Sequence, residues 1–281
     1  MRGVLISIAK ILGFFGVWAA LIAIVVMSAV TIGGVGWFHN VNWRLFVEIG
    51  GTIATLGALV FMVRVVDKRG WATLGFGADN SIVGLLSGTV LGAFIFVVPI
   101  GVLTALGYVR YAPDLGGFNA NALWLALVLC FFNVITQEVL VRSYIFQELW
   151  TKYGVLVAHA VTTLLFVALH AGAIREGQNG LIAAANIALA SVMLGLAYVR
   201  SGALWLPIGI HLGWNGLQGP VLGLSVTGQD IGLGYWRVFE FEGPPLLTGG
   251  AMGVEGGLIG LVGPALGLAI VAFAVRPKPA Q

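Results

Sequence analysis

The side chains best suited to chemistry lie inside three apolar stretches in the second half of the chain. They are Gln137, Glu138 and Arg142 in the run TQEVLVRSYIFQ, His170 in FVALHAG, and His211 and Asn215 in LWLPIGIHLGWN. An ionisable group at membrane depth costs a few kcal/mol or more, so each is a functional candidate. Polar groups on three separate apolar segments indicate a common site.

Spacing places two pairs of these groups on shared helix faces. His211 and Asn215 are four residues apart, so both side chains point the same way from a helix. Two donors on one face can be aimed at a single oxygen, which is what stabilising an oxyanion requires. Glu138 and Arg142 have the same spacing with the acid first, the favourable order for a helical ion pair. Gln137 is turned by about 100° from Glu138 and points elsewhere.

The expected depths of the candidate groups agree only in part. At about 1.5 Å per residue, His211 is expected roughly 12 Å from the cytoplasmic end of its helix, and Gln137 about 13 Å from the same side. His170 is expected deeper, at roughly 22 Å, if its helix begins at Val155. Helix length alone therefore does not bring His170 level with the other two residues.

The composition defines the setting of these residues. Hydrophobic residues make up 59% of the 281 residues and charged residues 9%, with a mean hydropathy of +1.01. A soluble chain needs more charge to cover its surface, so we predict a polytopic membrane protein without a soluble domain for ATP hydrolysis or DNA binding. The net charge of +3 requires no nucleic-acid partner, because cytoplasmic loops collect Lys and Arg. The single cysteine, Cys130, excludes an intrachain disulfide and a Cys-based metal cage.

Eight apolar stretches are suitable for transmembrane helices. They occupy residues 11–30, 45–63, 82–107, 121–146, 155–171, 181–199, 203–218 and 257–275. The predicted fold is an all-α bundle of about eight transmembrane helices, and strands are not expected because open sheets cannot exist in hydrocarbon. On the seventh helix, Gly209, Gly213 and Gly216 lie on one side and predict a close contact with another helix.

Loop charges predict the orientation of the bundle. With the N-terminus inside, the cytoplasmic side holds Arg2, Lys10, Arg64, Lys68, Arg69, Lys152, Arg200, Arg276 and Lys278. The opposite side holds Arg44, Arg110, Arg175 and Arg237. The positive-inside rule therefore predicts that both termini are cytoplasmic and that the Gly- and Pro-rich segment 219–256 is external.

The motifs resemble those of the CPBP family, the CAAX proteases and bacteriocin-processing proteins, which includes the type II CAAX prenyl proteases. That family shows Glu-Glu-x-x-x-Arg, then Phe-x-x-x-His, then His-x-x-x-Asn or Asp. The matching residues are Gln137, Glu138 and Arg142 for the first motif, Phe166 and His170 for the second, and His211 and Asn215 for the third. Segment 247–257, LTGGAMGVEGG, is similar to one that follows the third motif in bacterial members. The resemblance covers about residues 120–257.

The resemblance implies a glutamate-dependent intramembrane endopeptidase, a multi-pass protein of a bacterial cell membrane. In such an enzyme the first acid and the histidine of the second motif activate a water, and the third motif holds the oxyanion. The implied partners are the lipid bilayer and a membrane-associated protein or peptide substrate, as in CAAX-box protein processing, with no cofactor or metal. Residues 1–120 would then form about three N-terminal spans, residues 121–275 the catalytic core, and residues 276–281 a cytoplasmic tail.

Gln137 departs from the family pattern, because an amide cannot act as a carboxylate base. Three readings remain open. Neutral His170 carries the base role alone. Glu138 rotates into that role, although its pairing with Arg142 opposes this. Or the chain has lost hydrolysis and acts as a membrane binding or immunity factor. We expect an active membrane-embedded protease, because the other motif positions are filled.

A metal site and a transport path are further alternatives. Glu138, His170 and His211 have the residue types of a zinc site with two histidines and a carboxylate, but no His-Glu-x-x-His helix is present. Matched, repeated halves, which are typical of transporters, are absent from the sequence. Outside the motifs, Glu148 is expected to be solvated near the headgroups, and Glu255 is expected to cap the last helix.

Overall fold

Helices account for most of the molecule. The computed structural model describes residues 2–34, 41–70, 74–77, 81–112, 117–229, 236–237 and 239–276. It is 81% helical, which confirms the all-α prediction. Apart from Arg276, the predicted tail 276–281 lies outside the described residues, as do residues 230–235 and 238 of the predicted external segment.

Five helical segments in the described part of the chain are long and apolar enough to cross a membrane. They are α1 (Arg2–Gly33), α2 (Val41–Phe61) with the π-helical segment Met62–Val66, α3 (Ser81–Ala105), α4 (Ala120–Arg142) with α5 (Tyr144–Tyr153), and α8 (Gly180–Ser201). The remaining helices are shorter: α6 (Val155–Leu169), α7 (Ala171–Glu176), α9 (Trp205–Gly216), α10 (Pro245–Thr248) and α11 (Val262–Ala274). Length and composition thus support several spans, and the number eight stays a prediction.

The connections contain two features that the apolar pattern does not predict. The fourth predicted span is broken at Ser143, whose φ and ψ of −88° and −90° are not helical, and the chain continues as α5. Two short antiparallel strand pairs also occur: β1 (Val109–Tyr111) with β4 (Phe239–Phe241), and β2 (Gly117–Phe118) with β3 (Trp236–Arg237). These strands lie in the connections between helices.

Helices α3 and α9 cross at backbone contact, and this crossing fixes the helix that carries His211. A Cβ atom at Gly213 would lie 2.1 Å from the carbonyl oxygen of Thr89, and one at Gly209 would lie 2.3 Å from that of Leu85. The predicted glycine contact is therefore present at both positions. Gly216 was predicted to share it, but a Cβ atom there would meet nothing within 4 Å, so that part of the prediction is wrong.

Ion pairs at two buried carboxylates, Glu148 and Asp67, join α1, the end of α2 and α5. Oε1 of Glu148 accepts hydrogen bonds from Oγ of Ser7, at 2.9 Å, and from Nζ of Lys152, while Lys10 binds Asp67 at 2.6 Å. Glu148 is 2% exposed, so the expectation that it is solvated is wrong. The partners compensate its charge inside the bundle, which explains why the carboxylate is buried.

Candidate active site

A cavity of about 630 Å³ lies between α2, α4, the junction of α6 and α7, and α9. Gln137, His170, His211 and Asn215 are among the residues that line it. Its volume is within the range of clefts that bind small ligands or short peptide segments. Four of the six predicted site residues therefore share one cavity, although they come from three different helical regions.

The other two predicted residues, Glu138 and Arg142, form a buried ion pair behind the cavity. Nη1 of Arg142 donates to Oε1 of Glu138 at 2.8 Å, and Nη2 donates to Oγ of Ser191 on α8 at 3.1 Å. Neither side chain is more than 1% exposed. Nδ1 of His211 lies 2.7 Å from the same carboxylate oxygen. Glu138 thus connects the arginine on its own helix to the histidine on α9.

The ring of Phe166 lies at the centre of the three motifs. The guanidinium carbon of Arg142 is 4.5 Å from its centroid, a distance typical of a cation–π contact. The imidazole rings of His170 and His211 lie at 4.7 and 6.2 Å between centroids. Phe166 therefore packs against a charged or polar residue of each motif and fills the space that separates them.

His170 lies where α6 ends and α7 begins. Nδ1 of His170 is 2.8 Å from the backbone carbonyl oxygen of Phe166. A carbonyl oxygen only accepts, so Nδ1 carries the hydrogen and a neutral ring has its lone pair on Nε2. Although α6 begins at Val155, as the estimate of depth assumed, the ring of His170 lines the same cavity as that of His211.

Gln137 is held by a second amide. Nε2 of Gln137 donates to Oδ1 of Asn133 at 2.7 Å, and Nδ2 of Asn133 lies 3.4 Å from both carboxylate oxygens of Glu48 on α2. Oε1 of Gln137 is buried and has no hydrogen-bond partner among the residues that the structure describes. All three side chains line the cavity.

Sequence reasoning missed Glu48 and Asn133 as members of this site. Glu48 falls inside the predicted second span, so the rule that intramembrane carboxylates are functional candidates should have selected it. Asn133 precedes Gln137 by four residues and therefore shares its helix face. Both signals are present in the sequence.

A second cavity, of about 60 Å³, shares His170, His211 and Asn215 with the first and is also lined by Glu255. Glu255 was expected to cap the last helix, and that expectation is wrong, since α11 begins several residues later at Val262. Its carboxylate instead accepts hydrogen bonds from Nε2 of Gln218 at 2.9 Å and Nε1 of Trp214 at 3.3 Å. Burial raises the pKa of Glu255, and these hydrogen bonds oppose that rise.

These contacts are relevant to two hypotheses from the sequence: which side chain acts as the base in place of Gln137, and whether Glu138, His170 and His211 form a metal site. Glu138 is fully buried, with Oε1 engaged by both Arg142 and His211, so rotation toward the cavity would break the ion pair. Nδ1 of His170 is already engaged by a backbone carbonyl. Among the described residues, no three His, Cys, Asp or Glu side chains are grouped so as to hold a metal ion.

Comparison with known proteins gives one relationship. Residues 119–217 match the model of a family described as type II CAAX prenyl endopeptidase Rce1-like, and this is a protease family. Searches of curated proteins and of solved structures gave no match. The match supports the relationship to the CAAX protease family that the motifs indicated, and it includes all six predicted site residues.

Proposed function

We propose that this relative of the CAAX prenyl endopeptidases is itself an intramembrane endopeptidase. It hydrolyses a peptide bond of a membrane-associated protein or peptide with an activated water and a His211–Asn215 oxyanion site. The observation that carries the proposal is the convergence of Gln137, His170, His211 and Asn215 on one cavity. Each comes from a motif that the family match covers.

In the proposed mechanism the two histidines have different roles, and their hydrogen bonds support this division. With Nδ1 of His170 donating to a carbonyl, its Nε2 is the free base that removes a proton from water. Nδ1 of His211 faces the Glu138 carboxylate, which leaves Nε2 of the ring for the cavity, where the proposed mechanism uses it as a donor to the oxyanion. Asn215, one turn later on α9, supplies the second donor to the oxyanion.

The reaction balances with these groups alone. The water gives a proton to Nε2 of His170 while its oxygen attacks the scissile carbonyl carbon. The carbonyl oxygen becomes an oxyanion held by His211 and Asn215. As the tetrahedral intermediate collapses, the C–N bond breaks and His170 returns its proton to the leaving amine. The products are a carboxylic acid and an amine.

A catalytically impaired membrane binding or immunity factor is the second candidate. The observation in its favour is Gln137, because the family's first acid is replaced by an amide that cannot accept a proton. In that case the same cavity binds a peptide segment without cleaving it. Both candidate functions require that the cavity binds a peptide segment, but only the endopeptidase cleaves it.

We also propose the setting of the site. Residues 1–120 supply about three N-terminal spans and residues 121–275 the catalytic core of a bundle of about eight spans in a bacterial cell membrane. Both termini face the cytoplasm. The side chain of Gln229 is exposed, so Gln229→Cys should react with an impermeant maleimide added outside intact cells. If Gln229→Cys reacts only with reagent on the cytoplasmic side, the predicted orientation is wrong.

A cleavage assay tests the proposed activity. The purified protein in lipid is incubated with a library of membrane-anchored peptides, and new amino termini are identified by mass spectrometry. Wild type should cleave slowly, and Gln137→Glu should cleave faster, because a carboxylate restores a general base worth about 10²–10⁴ in rate. If neither cleaves and both bind peptides from the library, the binding-factor candidate replaces the enzyme.

A further inference from the structure

The two amides beside the cavity are linked to a carboxylate in a fixed order. Glu48 on α2 accepts from Nδ2 of Asn133, Asn133 accepts through Oδ1 from Nε2 of Gln137, and Oε1 of Gln137 has no partner among the described residues. We call these three residues the amide relay. It begins at the carboxyl group of Glu48 and ends at a buried acceptor of Gln137, whose side chain lines the same cavity as His170.

Chemistry fixes the direction of this relay. An ionised carboxylate accepts hydrogen bonds and cannot donate one, so Asn133 must present its NH₂ group to Glu48. Its oxygen is then left for Gln137, which must present its own NH₂ group in return. The Gln137 carbonyl oxygen is then the acceptor of that side chain and has no partner among the described residues. An ionised Glu48 would therefore set the orientation of the Gln137 amide through Asn133.

We propose that Glu48, acting through Asn133, positions Gln137 so that its carbonyl oxygen accepts a hydrogen bond from the attacking water. This inference rests on the proposed function. Gln137 holds the water but takes no proton, and the proton passes to Nε2 of His170. Glu48 and Asn133 are positioning residues, because they act on the water only through Gln137.

The relay accounts for how an amide can replace an acid at this position. A carboxylate has two equivalent acceptor oxygens, so it presents an acceptor to the water in either orientation. An amide presents an acceptor in one orientation and a donor in the other. A glutamine at position 137 therefore works as a water acceptor only when a neighbour selects the orientation, and Glu48 with Asn133 makes that selection.

Isosteric substitutions test the direction of the relay. Glu48→Gln removes the charge and introduces an NH₂ group that can donate to Asn133, so both amides can reverse and Gln137 can present its NH₂ to the water. We expect kcat to fall about 10- to 100-fold, the scale of a misplaced reacting group, with KM nearly unchanged. The unfolding temperature of the variant in detergent shows whether it is folded.

Adding Asn133→Asp to Glu48→Gln supplies the rescue. The introduced carboxylate at position 133 accepts both from the introduced amide at position 48 and from Nε2 of Gln137, so the Gln137 carbonyl again faces the water. We expect the double variant to recover most of the wild-type kcat, whereas a merely structural role for Glu48 predicts two additive losses. An unchanged kcat in Glu48→Gln, or a folded double variant no better than the single one, overturns the proposal.

Infrared difference spectroscopy gives a test that needs no substrate. The spectrum of wild type minus Glu48→Gln should contain the stretching bands of an ionised carboxylate. The band of a protonated carboxyl group in its place overturns the proposal, because such a group can donate and no longer sets the direction. If wild type cleaves nothing, the proposed function fails and the catalytic role with it, while the infrared result still decides the polarity of the relay.

Discussion

Oε1 of Glu138 is shared by His211 and Arg142, at 2.7 Å from Nδ1 of the histidine and 2.8 Å from Nη1 of the arginine. A residue of the first motif, Glu138, therefore contacts a residue of the third motif, His211. Because Nδ1 of His211 is turned to the carboxylate, Nε2 is left for the cavity that the ring lines. We therefore propose that Glu138 positions His211.

Removing this carboxylate should destabilise the bundle as well as the site. Glu138→Gln leaves Arg142, which is 1% exposed, as a buried charge without its counter-ion. Breaking a buried pair in this way typically costs about 3–5 kcal/mol of unfolding free energy. Unfolding in detergent measures the loss. Glu240→Gln is the control, since its ion pair with Arg110 is about half exposed and should contribute little. Equal, small effects of both changes would contradict the assignment.

The crossing of α3 and α9 should tolerate no side chain at Gly213. In Gly213→Ala the new Cβ atom would lie 2.1 Å from the Thr89 carbonyl oxygen, so the two helices must separate and His211 must move. We expect a loss of unfolding free energy of about 1–3 kcal/mol or more, the scale of overpacking, together with lower activity. Gly216→Ala on the same helix is the matched control, because its Cβ atom would meet nothing within 4 Å. The contact is not essential if the two variants unfold alike.

Glu255 should make stability depend on pH. Burial raises its pKa in the folded protein above the ordinary value of 4.5. At a pH between the ordinary pKa and the raised one, Glu255 is protonated in the folded protein and ionised in the unfolded chain. Its contribution to the free energy of unfolding is therefore fully present below pH 4.5 and is lost as pH rises through the pKa of the folded state. Glu255→Gln should flatten this slope. Unfolding midpoints from below pH 4.5 to neutrality measure it, with Glu240→Gln as the exposed control. An unchanged slope in Glu255→Gln would assign the pH dependence to other groups.

Asn215 should contribute to turnover and little to substrate affinity. Its proposed hydrogen bond to the oxyanion exists only after water has attacked, so Asn215→Ala should lower kcat about 10²–10³-fold and leave KM nearly unchanged. Steady-state cleavage kinetics separate the two constants. A raised KM with normal kcat would instead make Asn215 a residue that binds the substrate in its ground state.

Local patterns predicted the helical class and the grouping of the motif residues around one cavity. Apolar runs gave the helices, and spacing of four residues predicted both the Glu138–Arg142 pair and the shared face of His211 and Asn215. The glycine contact of α9 was predicted for Gly209 and Gly213 on the same basis. These features depend on one helix at a time, which a sequence pattern can represent.

The remaining features depend on where helices end and on what packs against them. Helix length predicted a deeper position for His170 than for His211, whereas both rings line one cavity, because the length of a helix does not specify how it packs against its neighbours. Ser143 interrupts an apolar run that gives no sign of a break. The carboxylate of Glu255 meets Trp214 and Gln218, which are distant in sequence, and the link from Glu48 to Asn133 joins two helices. Such contacts arise from packing, so a single sequence does not specify them.

In the proposed mechanism, His170 activates the water that attacks the peptide bond. The turnover of His170→Ala on a peptide that wild type cleaves tests this role. The account predicts that His170→Ala abolishes cleavage, both alone and combined with Gln137→Glu. His159→Ala is the matched control on α6, the helix that leads to His170. His159 packs against Phe146, at 5.2 Å between ring centroids, so its loss should leave cleavage nearly intact. Cleavage by folded His170→Ala at the wild-type rate would contradict the account.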